Sequence, residues 1–360
     1  MARSRFPLRE KKYIKDDNRI GTDWHSMTAT FKEDDIRPKD LDEGKLHALQ
    51  QDLKRLRSYS SQFVEVVCPA CENLIGDPAF KKFGFQFVNC NKCDTVYMSP
   101  RAPAEVLNDF YANSILYEFW NKYIFPASRE TRRRKIFQPR VRKVLELLER
   151  YNVGKDCLLE VGAGFGIFCE EITKEKVFDN VIALEPSKSL AESCKKLGIT
   201  TIEKSVENLE SLEVPANFIV SFEVIEHLYS PFDFLRNCHR LMQDDGIIVI
   251  SCPNIRGFDI MTLGADSESI DAEHINMFNP KSIGTLFERA GFSLLDCETP
   301  GVLDAEIVRN RILNGSFNLV DQPFLQTVLI DRWEELGKSF QRFLQSNQLS
   351  SNMWVVAKKS

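Results

Sequence analysis

The sequence predicts an α/β chain: a parallel sheet with helices on both faces, preceded by a small cysteine-bound ribbon. Two observations carry this. From Asp156 onward, short apolar runs alternate with helical stretches, at Cys157–Val161, Asn180–Leu184, Phe218–Phe222 and Gly246–Cys252, and that alternation calls for βαβ units. Ahead of them stand Cys68-Pro-Ala-Cys71 and Cys90-Asn-Lys-Cys93, two turns that can each aim a pair of thiolates at one ion.

Taken in order, residues 1–60 read as a charged extension. Leu41, Leu46, Leu49, Leu53 and Leu56 recur there near helical spacing, which predicts one exposed helix after a loose arm. Residues 61–100 form the ribbon. Phe83-Gly-Phe-Gln-Phe-Val alternates as a strand should and leads into the second cysteine pair. Residues 101–150 predict a helical linker, with Ile136, Val141, Val144, Leu145 and Leu148 on one face and a basic opposite face. Residues 151–360 hold the sheet domain. Its last two strands fall at Ser293–Glu298 and Met353–Lys358, with a mostly helical insert at 303–348 between them.

Composition narrows the function. In 360 residues, 47 Lys+Arg stand against 52 Asp+Glu, for a net charge of -5. This balance argues against a chain whose main business is coating nucleic acid. No apolar run approaches the length that spans a bilayer, and the start Met-Ala-Arg-Ser-Arg-Phe carries no apolar signal core. A cytoplasmic chain is expected. Of the ten cysteines, four make the two pairs and six are scattered through apolar segments. One structural zinc held by Cys68, Cys71, Cys90 and Cys93 is expected, with no open position for water. Two disulfides or four unrelated buried thiols are the alternatives.

Leu158-Leu-Glu-Val-Gly-Ala-Gly-Phe-Gly166 sits where the first strand hands over to a helix. Gly162, Gly164 and Gly166 let the backbone approach a ligand closely. The dinucleotide fingerprint needs its third glycine one residue later, where this chain has Ile167. Glu160 would repel a pyrophosphate but suits an ammonium group. Glu185, at the end of the second strand, can accept both hydroxyls of a ribose. Glycine turn and paired acids together select S-adenosylmethionine.

These residues, with Phe222-Glu-Val-Ile-Glu-His-Leu and the final Trp354-Val-Val-Ala-Lys-Lys, resemble the class I S-adenosylmethionine-dependent methyltransferases over about 156–300. The resemblance implies a Rossmann-like seven-stranded methyltransferase sheet, with the helical insert before its last, antiparallel strand. It places Glu160, Gly162 and Gly164 at the methionine end of the cofactor and Glu185 at its ribose, with Gly166 also counted among the cofactor contacts. Glu207 falls near the adenine, and Glu223, leaving the fourth strand, is counted with the cofactor contacts.

Two clusters fall where the acceptor belongs. Glu223, Glu226 and His227 stand at i, i+3 and i+4, one helical face if the segment is helical. Glu273-His274 follows the fifth strand. The first cluster resembles the Glu-x-x-Glu-His of ubiquinone-pathway O-methyltransferases and of small-RNA 2′-hydroxyl methyltransferases. That likeness implies a second divalent metal on Glu223, Glu226, His227 and His274. The preferred reading is plainer: Glu226 and His227 hydrogen-bond the backbone around the cofactor. Glu273-His274-Ile-Asn-Met-Phe278, with the cysteine module, resembles the nucleotide-sugar methyltransferases, in which such a pair supplies acid/base chemistry. Asp271-Ala272 and the short insert depart from that pattern. His274 is the first choice for general base, with Glu273 beside it and His227 second.

The expected activity is methyl transfer to a small-molecule or carbohydrate hydroxyl. The basic run Arg129–Lys143 leaves open an RNA acceptor, a phosphate clamp or a solvated helix face. A non-catalytic ribbon scaffold is the remaining alternative, and the oligomeric state is left open.

Overall fold

The structure, a computed structural model, describes residues 32–36 and 38–360. The loose arm expected over the first residues lies, through residue 31, outside the described residues. Three strands form the ribbon: β1 (Gly76–Lys82), β2 (Phe85–Cys90) and β3 (Val96–Met98). The sheet domain holds β4 (Cys157–Val161), β5 (Asn180–Leu184), β6 (Thr200–Ile202), β7 (Ala216–Phe222), β8 (Met242–Pro253), β9 (Asn276–Met277), β10 (Phe292–Glu298) and β11 (Asn352–Lys359).

The large sheet runs β10-β11-β8-β7-β4-β5-β6. Strands β8, β7, β4, β5 and β6 run parallel to one another, and β11 runs antiparallel to both β8 and β10. Residues 157–161 and 216–222 are buried throughout, as strands covered on both faces must be. Successive residues feed opposite cores. Leu159, Ile219 and Ile250 pack on one side. Leu158, Val220 and Val249 pack on the other, against Val144 and Leu147 of the helix Gln138–Tyr151.

The ribbon does not stand apart. Its four-stranded sheet runs β1-β2-β3-β9, so the last strand comes from the segment directly after His274. Phe83 and Gly84 both take positive φ, +54° and +88°, between the paired Lys82 and Phe85. Phe83 is therefore a hairpin-turn residue rather than part of the expected strand. The first helix, Asp42–Ser58, is not the exposed element the sequence suggested. Ala48, Asp52, Leu53 and Leu56 are buried, the two leucines in a core shared with Phe85, Phe87 and Met98.

The stretch 303–348 carries helices Asp304–Leu313 and Trp333–Ser346 around a core of Val308, Leu329 and Leu344. Asp304 ties its two ends together. Its carboxylate accepts from Ser350 Oγ and Gln341 Nε2, both at 2.6 Å, and from the Ser351 amide at 2.5 Å.

Candidate functional site

The carboxyl ends of β4, β5, β7 and β8 open into one cavity of about 2320 Å³, the edge where open α/β sheets bind ligands. Residues of the ribbon (Lys82, Phe83) and of the insert (Ile307, Arg311) also reach its wall.

The side of the cavity expected to take the cofactor begins with the turn after β4. Gly162, Gly164 and Gly166 have φ of +79°, +55° and +70°. A Cβ on Gly166 would lie 2.9 Å from Cys194 Sγ, whereas a Cβ on Gly164 would meet nothing within 4 Å. The first glycine closes the turn and the second faces the cavity. Glu185 is 5 % exposed. Its two oxygens accept the amides of Gly164 (2.8 Å) and Ser187 (2.9 Å), which aims the carboxylate along the turn. Burial still raises its pKa above the ordinary value. Glu160 is 2 % exposed and is pushed up to about 8, chiefly by burial. Its Oε2 accepts from the Cys169 thiol at 3.0 Å. Glu207 sits exposed on the short turn Val206–Asn208 and lines the same cavity.

Glu223 departs from the helical-face expectation. It takes φ +58°, and the following turn is a single 3-10 turn, Ile225–His227. Its carboxylate accepts from Ser251 Oγ (2.5 Å) and Asn352 Nδ2 (3.0 Å), and it lies 3.7 Å from Arg140 Nη2. It is thus held on the cofactor side and is not one of the groups converging with His274, so the proposed four-residue metal set is corrected to three. Arg140 is the residue that the sequence did not single out for this pocket. Its guanidinium lies 4.3 Å over the Phe222 ring and 5.3 Å over that of Phe137, and the charges of Glu223 and Glu160 both act on it. A cation beside Glu160 completes a pair of charges that matches the carboxylate and ammonium of an amino acid.

The three converging groups are Glu226, His227 and His274, one ligand-type atom from each lying within 4.8 Å of the others. The His227 and His274 ring centroids are 4.7 Å apart. Glu226 is fully buried, yet neither carboxylate oxygen has a hydrogen-bond partner, and His227 Nδ1 has none either. The backbone hydrogen bond preferred on sequence grounds is thus missing at the Glu226 oxygens, whereas the Glu273 backbone acts on the His227 ring. Burial and the Glu223 charge raise the Glu226 carboxyl well above its usual range, while burial and His274 hold His227 well below its own. His274 Nδ1 bonds the Ser269 carbonyl at 2.8 Å, leaving Nε2 as its free ring nitrogen. The orphaned atoms, two carboxylate oxygens of Glu226 and one imidazole nitrogen of His227, together with the neighbouring His274 ring fit a divalent cation.

Glu273 turns away from this group. Its Oε1 is 3.5 Å from Ser114 Oγ, which also donates to the buried Asp52. Burial, with Asp271 and Asp52, raises it to about 8. Tyr111, unforeseen in the sequence, donates to the carbonyls of His227 (3.0 Å) and Glu273 (2.8 Å) and so clamps the two loops together. No periodicity marks one tyrosine on a linker helix for that task.

In the ribbon, Cys68, Cys71, Cys90 and Cys93 are buried, free of disulfides, and converge within 4.8 Å. The Sγ separations are 3.5 Å for Cys68–Cys93 and 3.6 Å for Cys71–Cys90. A tetrahedral ion with Zn–S bonds of about 2.3 Å sets its sulfurs about 3.8 Å apart. The two knuckles repeat one geometry. Glu72 and Asp94 both take positive φ and donate their amides to the carbonyls of Cys68 and Cys90. The disulfide alternative does not hold here, and the four thiols could hold zinc.

Residues 129–296 match the family described as a methyltransferase domain. A Mycobacterium tuberculosis chain named a probable S-adenosylmethionine-dependent methyltransferase is 26% identical over 179 residues, which cover 49% of this chain and 62% of that one. A ubiquinone biosynthesis O-methyltransferase of a Bradyrhizobium species is 26% identical over 208 residues, 56% of this chain and 70% of that one. Among solved structures, the 1,6-didemethyltoxoflavin-N1-methyltransferase of Burkholderia thailandensis aligns with TM-score 0.44 at 12% identity, covering 79% of this chain and 99% of that one. The family match, the glycine turn with its two acids and the strand order with its antiparallel β11 agree: residues 129–296, just under half of the chain, are similar to the methyltransferase domains, and the sheet has the order of the class I fold.

Proposed function

We propose that the chain is an S-adenosylmethionine-dependent methyltransferase acting on a hydroxyl of a small-molecule or carbohydrate acceptor. The observation that carries the reading is the pair of buried acids at the glycine turn, Glu185 hydrogen-bonded to the Gly164 amide and Glu160 beneath the loop. Glu185 would take the ribose diol and Glu160 the ammonium group, with Arg140 facing the carboxylate. When bound, the cofactor supplies a sulfonium that already activates its methyl group, so the protein has only to align the nucleophile and remove its proton.

The acceptor would lie between the glycine turn and the group Glu226, His227 and His274. The orphaned Glu226 oxygens favour a divalent cation there, with the two imidazoles as its other ligands and open positions for the acceptor oxygen. Such an ion would lower the pKa of the bound hydroxyl. Mixed oxygen and nitrogen ligands suit Mn²⁺, Fe²⁺ or Zn²⁺ better than Mg²⁺. Without an ion, Nε2 of His274 would take the proton. The ribbon cysteines would hold a structural zinc. An oxygen acceptor also agrees with the printed name of the Bradyrhizobium relative, and the cavity leaves room for an acceptor beside the cofactor.

Calorimetry with S-adenosylmethionine tests the core of this reading. Micromolar binding that is lost in Glu185→Ala supports it, and absence of binding to the parent chain sinks it. A methyl mass shift on nucleotide sugars, glycan fragments or catechols then identifies the acceptor class.

A further inference from the structure

The ribbon reaches the acceptor side through two buried asparagines. Both Asn276 and Asn279 are fully buried, and each spends its amide on a different joint. Asn276 lies in β9, paired with Tyr97 of β3. Its Oδ1 accepts from Arg101 Nη1 at 2.8 Å, and Arg101 Nη2 donates to the Tyr229 carbonyl at 2.7 Å. Its Nδ2 donates to the Leu228 carbonyl at 2.7 Å and to the Glu226 carbonyl at 3.3 Å. One side chain thus ties the ribbon's exit strand to the loop that carries Glu226 and His227. Asn276 itself stands two residues after His274.

Asn279 makes the second joint. Its Nδ2 donates to the carbonyls of Cys93 and Asp94, each at 3.0 Å. Its Oδ1 caps the helix Pro280–Arg289 by accepting the amides of Lys281 and Ser282, each at 3.0 Å. Just ahead of these joints, Met98 of β3 donates its amide to the Ile275 carbonyl at 2.9 Å. The segment directly after His274 is therefore tied to β3 at Ile275 and Asn276 and to the second cysteine knuckle at Asn279.

We propose that Asn276 and Asn279 are positioning residues: they register the Cys90–Cys93 knuckle against the Glu226–His227 and His274 loops and so set the acceptor-side geometry. The ribbon is then a template for the site rather than a cover over it. The physical reason is local. The loop 269–275 has no strand of its own, and the turn 225–227 is a single 3-10 turn. Neither segment can hold side chains to a fraction of an ångström unaided, and displacement of about 1 Å at a reacting centre costs on the order of a hundred-fold in rate. The cofactor contacts Glu160 and Glu185 hang from β4 and β5 instead, so they are independent of these joints.

This inference rests on the reading of that cluster as the acceptor side, and the test separates the two. Asn279→Asp keeps the helix cap and removes both donors to the knuckle. Asn276→Asp keeps the Arg101 partner and removes both donors to the 226–228 turn. In full-length protein we expect each variant to bind S-adenosylmethionine within about two-fold of the parent, to retain its zinc, and to lose about ten- to a hundred-fold in turnover. Amide exchange should speed up at 273–278 in the first variant and at 225–229 in the second. Unchanged exchange and turnover in both variants overturns the proposal, as does loss of cofactor affinity in step with turnover. A parent chain that binds no S-adenosylmethionine defeats the methyltransferase reading instead, and the exchange comparison then decides the coupling alone.

Discussion

The Cys169 thiol donates to Oε2 of Glu160 across 3.0 Å, from the first turn of the helix that the glycine loop opens. Helix and strand end are thereby joined under the proposed ammonium site. Glu160 is nevertheless so buried that its carboxyl is pushed up to about 8, against a lowering pull from Cys169 and Arg140. Below that pH the ligand-free carboxyl holds its proton, and an ammonium group must displace it.

Cofactor affinity should therefore climb as pH rises toward about 8 and flatten above it, by at most about ten-fold per pH unit. Glu160→Gln should flatten the profile and weaken binding throughout. Cys169→Ala should move the climb to higher pH, because one group favouring the ionised form is gone. Folding carries the opposite sign. A carboxyl whose native pKa lies above its unfolded value stabilises the fold at acid pH, and that contribution disappears as pH rises through about 8. Glu273, also raised to about 8, adds to the loss. Calorimetric titrations across this range decide it. A pH-independent affinity in the parent chain would remove Glu160 from the ammonium site.

Glu185 makes a sharper prediction, because its two oxygens also hold the loop. Glu185→Ala should cost about 3 kcal/mol of cofactor affinity, roughly a hundred-fold, since two hydroxyl bonds to a charged acceptor are lost. Glu185→Gln should not rescue it: one end of the amide would present N–H groups to the backbone donor of Gly164 or Ser187. Equal binding by the Gln variant and the parent would show that the ribose is held elsewhere.

The strands of the large sheet were legible because residues covered on both faces must be apolar, as at Phe218–Phe222 and Gly246–Cys252. The third strand, Thr200–Ile202, is three residues at a sheet edge and leaves no such pattern. The two residues of β9 leave even less, so the stitching of ribbon to domain was invisible. In the candidate site, Glu160, Glu185 and the glycines stand out in the sequence because one short segment and one strand end carry them, and the structure brings them to one cavity. The Glu-x-x-Glu-His spacing misled as to geometry, because the positive φ of Glu223 breaks the helical face that would have gathered all three side chains. Arg140 was hidden within a basic run; its burial comes from Phe137 and Phe222, one of them distant in sequence.

The converging group predicts a metal stoichiometry. Elemental analysis of protein prepared with Mn²⁺ or Zn²⁺ should find zinc at the cysteines and a second ion that Glu226→Gln or His274→Ala removes. Turnover should fall with the second ion and return when it is restored. The Glu226 variant is the more informative, since it keeps shape and removes charge from a fully buried position. A parent chain with only the cysteine-bound zinc and full activity under mild chelation would assign Nε2 of His274 the proton-accepting role.

The basic run yields the last prediction. Arg133, 13% exposed, donates to Glu170 at 2.8 Å, bonds Glu171, and lies 3.4 Å from Glu130. Lys143 is 2% exposed and 3.1 Å from Glu298, and Arg140 faces into the cofactor side. Side chains committed inward in this way are poor phosphate trackers, which need exposed cations along one face. Arg129 and Arg134 stay exposed, but Arg133 serves the seam with the helix Ile167–Lys174 and the cations turned inward leave no continuous exposed row. RNA affinity near neutral pH should accordingly be weak, with only a shallow dependence on salt. Arg133→Ala should instead lower stability by about 2 kcal/mol, between the values for exposed and for buried ion pairs, which a denaturant midpoint would register. A steep salt slope for RNA binding, reduced by Arg133→Ala with no change in stability, would restore the nucleic-acid acceptor.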